Sequence, residues 1–326
     1  MCATRPTHPQ GLRADDFPDE GLLERLPHTR GKLIPNEPLA EQTWFRIGGP
    51  AEVLFKPADT DDLAYFLERC PADVPVTVIG LASNLLVRDG GVPGVVIRLG
   101  PQFAQIKVEG GSIIAGAGAV DLNVARAAQA SGLAGLEFLS GIPGTIGGGL
   151  RMNAGAYGSE FKDIVGEVSV VNRSGARQTV SRDKMGFSYR HCGIPADSVF
   201  VSAMLEGESG NPATIQAKMD EIKKKRSETQ PIHEKTGGST FANPENDPEK
   251  RKAWQLIDAA GCKGLKIGNA KVSEKHANFL INTAHATAAD VENLGEEVRK
   301  RVKSKFGIDL RWEIQHIGVK KEQRGL

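Results

Sequence analysis

Residues 141–158 read GIPGTIGGGLRMNAGAYG, seven glycines in eighteen positions, and no other stretch of the chain limits the possible folds as much. Glycine loses more conformational freedom on folding than any other residue and packs no side chain. So dense a run belongs where backbone turns tightly, takes positive φ, or lies directly against a ligand. A flexible linker fits poorly, because linkers are built of Gly and Ser, whereas Ile142, Ile146, Leu150, Met152 and Tyr157 are interleaved here. The whole chain shares the bias, with 38 glycines in 326 residues against an average of roughly 7 per cent. Hydrophobic residues make up 40% and charged residues 25%, ordinary values for a chain long enough to fold into two or three domains.

Charge excludes some functions. Lys and Arg total 41 against 40 for Asp and Glu, so no global field draws the chain to DNA or to an anionic membrane. Cys2, Cys70, Cys192 and Cys262 are far apart and form no CxxC, which argues against a zinc knot or a disulfide scaffold and for a reducing compartment. The opening MCATRPTHPQGLRADDFPDEG lacks the apolar core of a secretory signal, and no later run approaches the ~20 apolar residues of a membrane span. These features lead us to expect a cytoplasmic protein with a polar, loose segment over residues 1–32.

Along the rest of the chain the pattern changes twice. LAEQTWFRIGGPAEVLFKPAD reads as two extended segments joined by GGP. Thr60 caps a helix whose Leu63, Phe66, Leu67 and Cys70 form a half-buried stripe, and strand-like VPVTVIG and GVVIRLG follow. Neither GxGxxG nor GxxxxGK is present. From about residue 101, short strands alternate with glycine turns: a hairpin at Gly110–Gly111, a helix capped by Asp121, a second hairpin around RSG, then SVFVSAML. The last third opens with NPATIQAKMDEIKKKRSE, where Arg226 falls on the same stripe as Ile215, Met219 and Ile222. An arginine on a core stripe must be paired or face a cavity, whereas Lys223, Lys224 and Lys225 lie on a solvated face. Asp247 and Pro248 read as the start of a helix ended by Gly261, and a further helix runs from Thr287 to Gly307. IDLRWEIQHIG alternates like a strand with one buried face.

Two glycine-rich segments, GLASNLLVRDGG and GIPGTIGGGLRMNAGAYG, lie about sixty residues apart on separate small regions. Backbone N–H groups in such loops form nests for phosphates, and Ile142, Pro143 and Ile146 offer an apolar slot, so nucleotide binding and mere tight turns are both open on pattern alone. Ser239, in TGGSTFANP, has no nearby base except His233, and no GxSxG elbow is present. On pattern alone Ser239 reads as a turn or capping residue, Arg190 as a surface pair and Glu313 as a solvated strand residue. His276 lacks a second ligand at metal spacing and suits a structural or substrate-side role better than zinc.

Taken in order, TWFRIGGPAE, GLASNLLV, GIPGTIGGGLRMNAGAYG, FSYR, RSETQP, GGSTFANP, GLKIGNAKVSEKHANFLIN and LRWEIQHIG resemble the bacterial UDP-N-acetylenolpyruvoylglucosamine reductase family over residues 33 to about 319. SYR runs on through HCGIPADSVFV with little room for an insertion, so the form lacking the extra tyrosine loop is the nearer match. The resemblance implies an α+β flavoprotein of three domains: FAD-binding subdomains of the vanillyl-alcohol-oxidase-like type at 33–100 and 101–210, and a substrate domain at 211–326. It implies non-covalent FAD, NADPH as co-substrate, UDP-N-acetylglucosamine enolpyruvate as substrate, no metal, and a monomer.

By the same resemblance, Arg190, Ser239 and Glu313 are catalytic: the serine donates a proton, and the arginine and glutamate stabilise an enolate. FAD contacts are implied at Arg46, Gly80, Ser83, Asn84, Leu85, Gly116, Gly118, Gly141, Ile142, Pro143, Gly144, Thr145, Gly147, Gly148, Asn153, Ala154 and Gly155. Tyr189, Arg226 and Asn243 are implied on the substrate side. The chain departs from the family pattern at GLASN, usually richer in glycine, at Leu150 and Arg151, and at Cys192. The rival readings are another FAD-dependent oxidase of the same superfamily and a non-catalytic nucleotide-binding protein.

Overall fold

Hydrophobic runs bounded by Gly and Pro give the described residues three sheets of four or five strands, with three two-stranded ladders beside them. The structure is a computed structural model that describes residues 21–321. In the first sheet Lys32–Pro38 pairs antiparallel with Pro50–Lys56, and Val92–Arg98 and Val76–Ile79 follow in parallel. Helix Thr60–Arg69 covers one face with Leu63, Phe66 and Leu67, all fully buried. Its cap is Asp59 rather than Thr60: the Asp59 carboxylate accepts the N–H of Asp62, leaving the threonine as the first helical residue.

The second sheet is antiparallel throughout, in the order 177–181, 165–171, 199–206, 112–116, 106–109, with the expected turn at Gly110–Gly111. Helices Asp121–Ala130 and Ile146–Met152 pack on it, with Val124, Ile146 and Leu150 fully buried. The third sheet orders 235–239, 279–282, 270–272 and 266–267, and helix Ala288–Phe306 lies across it. That helix starts at a reciprocal capping box between Thr287 and Asp290 and ends at Gly307, whose φ of 70° is the left-handed stop.

Several sequence expectations change here. Residues 21–32 are packed rather than loose: Gly21–Arg25 is a helical turn, and Leu26 joins the core of the first sheet. Residues 1–20, with Cys2, lie outside the described residues. LAEQTWFRI is not a strand. Phe45 and Ile47 plug into the core of the third sheet, and Asn282 donates to the Phe45 carbonyl at 2.9 Å.

Helix Pro212–Thr229, grouped with the last third by sequence, buries Ile215 and Met219 in the core of the second sheet. Asp247 does not start a helix. The helix spans Ala253–Ala259, and Asp247 is instead clamped by Arg251, which donates from Nε and Nη2 at 2.9 and 2.8 Å. In 308–317 the alternation of burial holds at Ile308, Leu310 and Ile314, but only Gln315–Ile317 forms a ladder, pairing in parallel with Leu85–Val87 of the first third. Among the described residues, no helix is long and apolar enough to cross a membrane.

Candidate active site

Those exchanges between thirds of the chain enclose one cavity of about 390 Å³. The two glycine-rich segments meet in it at Gly80, where a Cβ would stand 2.6 Å from Thr145 Oγ1. Each segment is fixed from outside. Residues 144–147 are hydrogen bonded to the chain at 117–121, through Asp121 N–H to Gly144 O, Ile146 N–H to Ala119 O and Gly147 N–H to Ala117 O. The 83–85 segment is tied to the last strand, since Asn84 Nδ2 donates to Glu313 O at 3.1 Å and Gln315 N–H donates to Asn84 O at 3.0 Å.

Against this wall the chain places three side chains drawn from positions 190, 239 and 313. Ser239 ends its strand after Gly238, which has φ of 80°, and the ladder slips register between Thr236 and Ser239. The next residue, Thr240, accepts the Glu313 N–H at 2.8 Å, which sets the serine and the glutamate on adjacent backbones. Arg190 reaches in from the second sheet. Its Nε donates to Glu313 Oε1 at 2.8 Å and its Nη2 to Gly155 O at 3.0 Å. Both partners are largely withdrawn from solvent, with 19% and 14% of their side chains exposed. Burial pushes the Glu313 carboxyl above its ordinary range, with Arg190 pulling the other way.

Backbone strain marks the same place. Ala82 and Arg190 line the cavity with φ of 51° and 56°, a region that costs any residue with a Cβ. At Ala82 this is the departure from the glycine-rich pattern: alanine holds a turn that glycine adopts freely.

Four guanidinium groups, Arg98, Arg151, Arg190 and Arg226, face two carboxyls, Glu234 and Glu313, across a cavity in a chain of net charge +1. Such a lining suits a ligand carrying a diphosphate. It also has room for close approach: Gly148 has nothing nearer to a Cβ than Thr145 Oγ1 at 3.6 Å, and Gly238 nothing nearer than Ser83 O at 3.8 Å. Thr236 Oγ1 lines the same space, buried and without a partner among the described residues. Open glycine faces, an unpartnered hydroxyl and excess guanidinium charge together fit a bound dinucleotide.

Comparison with known proteins agrees. An FAD binding domain matches residues 51–181, and the C-terminal domain of UDP-N-acetylenolpyruvoylglucosamine reductase matches residues 230–317. The chain is 59% identical over 304 residues to the UDP-N-acetylenolpyruvoylglucosamine reductase of Parvibaculum lavamentivorans, covering 93% of this chain and 97% of the relative. Identity to that of Paramagnetospirillum magneticum is 57%, over 93% and 98% of the two chains. The crystal structure of the reductase from Thermus caldophilus superposes with a TM-score of 0.76 at 32% identity, over 89% of this chain and all of that one. This chain belongs to the UDP-N-acetylenolpyruvoylglucosamine reductase family.

For a member of that family, the residues singled out by sequence divide cleanly. Gly80, Ser83, Asn84, Leu85, Gly118, Gly141, Ile142, Pro143, Gly144, Thr145, Gly147, Gly148, Ala154, Gly155 and Arg226 line the cavity with Arg190, Ser239 and Glu313. Five do not. Arg46 is exposed, with left-handed backbone and its guanidinium on the Glu41 carbonyl. Gly116 is a packing glycine in the second sheet, where a Cβ would stand 2.0 Å from Phe103 O. Asn153 is fully buried behind the wall. It accepts from Lys162 N–H and donates to Glu160 Oε2 and Ser188 O, so it positions the segment carrying Arg190.

Tyr189 lies beneath Arg190, its ring 5.0 Å from Cζ, and Asn243 is exposed and accepts the Ala253 N–H at the start of a helix. His276 accepts from Asn278 N–H and packs edge-on against Phe279, and burial pushes its pKa down. The sequence reading passed over Arg98, Phe200 and Phe279 as lining residues, since a lone arginine or aromatic at a strand end carries no periodic signal.

Proposed function

We propose that Arg190, Ser239 and Glu313 carry the chemistry by which this member of the family reduces UDP-N-acetylglucosamine enolpyruvate to UDP-N-acetylmuramate, a precursor of peptidoglycan. Bound FAD, reduced by NADPH, supplies hydride to C3 of the enolpyruvyl group. The protein's part begins there. Hydride addition drives an electron pair toward C2 and the carboxylate, and that enolate charge requires donors already in place.

Arg190 is held for this by Glu313 and the Gly155 carbonyl, so its guanidinium needs no rearrangement as the charge develops. Burial raises the Glu313 carboxyl while Arg190 opposes the rise, and a proton on Glu313 would add a hydrogen-bond donor where an ionised carboxylate would repel. Ser239 Oγ–H then delivers its proton to C2, and the resulting alkoxide recovers one from solvent. A carbanionic carbon is basic enough to take a serine proton, which accounts for a serine with no histidine partner. The two hydrogens added across the double bond are thus one hydride and one proton.

The observation that supports this reading best is the convergence of residues 190, 239 and 313 on the cavity walled by the glycine-rich segments. Arg226, on the buried stripe of its helix with its Nε donating to Gln230 Oε1, supports the substrate side: a guanidinium at the cavity wall suits the diphosphate or carboxylate of the sugar nucleotide.

A visible spectrum tests the reading. The purified protein is expected to show oxidised flavin bands that bleach with NADPH and return anaerobically only when the enolpyruvyl sugar nucleotide is added. Return with oxygen alone at a comparable rate would favour the oxidase reading, and a colourless protein that takes up no flavin would favour a non-catalytic nucleotide binder.

A further inference from the structure

Arg151 is unlike the other cations of the cavity. It closes helix Ile146–Met152, and its Nη1 and Nη2 donate to the carbonyls of Ile194 at 2.5 Å and Ser198 at 2.8 Å. Its Cζ stands 4.9 Å from the centre of the Phe200 ring, and Arg151, Ser198 and Phe200 all line the cavity. Two carbonyls and a ring orient a guanidinium, but they do not neutralise it. Among the described residues no carboxylate reaches ion-pair distance; Asp197 and the Cys192 thiol act on it only from farther away, and burial pushes its pKa down. An unneutralised, part-buried guanidinium is costly unless a ligand completes it. Three of its five N–H groups are left over by those two bonds.

The wall matters as much as the charge. Arg190 is held by Gly155 and Glu313 by Thr240 and Asn84, whereas Arg151 donates to Ile194 and Ser198 and stands over Phe200, with no hydrogen-bond partner in common. We propose that Arg151 selects the full dinucleotide by engaging its adenosine-phosphate half, while the flavin ring lies against the catalytic trio. This rests on the FAD reading above. A planar guanidinium backed by Phe200 offers a stacking face to adenine and N–H edges to a phosphate oxygen, a pairing lysine cannot reproduce.

The test compares FAD with FMN, which lacks the adenosine half, on the flavin-stripped full chain. Arg151→Leu is expected to weaken FAD at least tenfold while changing FMN less than twofold, and to make FAD binding less sensitive to salt. Arg151→Lys is expected to fall between the two. If both flavins weaken in parallel, Arg151 only supports the fold and the proposal fails; it fails equally if FAD changes less than twofold. Should the leucine variant not fold, the lysine variant carries the same comparison with the same criteria. Failure of the unmodified chain to take up FAD would overturn the functional reading itself, a result distinct from either.

Discussion

Asp121 is a fully buried carboxyl whose two oxygens find no partner among the described residues, directly beneath the loop that forms the cavity wall. Its backbone N–H holds Gly144 O, and a Cβ on Gly144 would stand 2.7 Å from its Oδ2. The sequence reading gave it the role of a helix cap; Val120 occupies that position, and the Asp121 side chain caps nothing. Burial pushes this carboxyl well above its ordinary range. A group whose folded pKa exceeds its unfolded value keeps its proton longer when folded, so stability falls as pH rises above the unfolded value of 3.8. Asp121→Asn is therefore expected to raise the melting temperature more at pH 8 than at pH 4, and an equal shift at both would contradict a neutral buried carboxyl. Asp247 works in the opposite sense: hydrogen bonds from Arg251 lower it to about 2, and its contribution, present above 3.8, is lost as pH falls toward that value.

Helix Ile146–Met152 shows why the glycines are not interchangeable. A Cβ on Gly149 would meet the Phe161 ring at 2.2 Å, inside the core of the second sheet. On Gly148 it would meet nothing closer than 3.6 Å and would extend into the cavity. Gly149→Ala is expected to destabilise the fold by about 1–3 kcal/mol through overpacking. Gly148→Ala is expected to leave the flavin-free melting temperature nearly unchanged while weakening FAD. Thermal scans with and without FAD separate the two, and the same loss of stability in both would show that Gly148 serves packing rather than the ligand.

At this scale the sequence was informative where a pattern is local. The stripe Ile215, Met219, Ile222 predicted both the helix and an inward Arg226, and the Thr287–Gly307 helix carries its own caps. It misled where the partner is remote. Nothing in LAEQTWFRI says that Phe45 will fill the third core, or that IDLRWEIQHIG will find a ladder partner only at Leu85–Val87. Arg151 stood out only as a departure from the family pattern, with no periodicity to place it at the cavity.

Across the whole molecule, the site exists because segments exchange between the three sheets. Residues 315–317 return to the first third and fix Asn84 beside Glu313, the long helix 212–229 leans on the second sheet and brings Arg226 to the cavity, and Asn153 braces the segment that delivers Arg190. One cavity can then serve both halves of a reaction, hydride acceptance from NADPH and hydride delivery to the sugar nucleotide, with only the second calling on a proton donor. Rapid mixing of the Ser239→Ala variant separates them. Flavin reduction by NADPH is expected to proceed within a fewfold of the unaltered rate, while reoxidation by the enolpyruvyl sugar nucleotide slows by at least about 10²-fold, the scale of a lost general acid. Equal slowing of the two steps, or reoxidation at the unaltered rate, would contradict the assignment of that proton to Ser239.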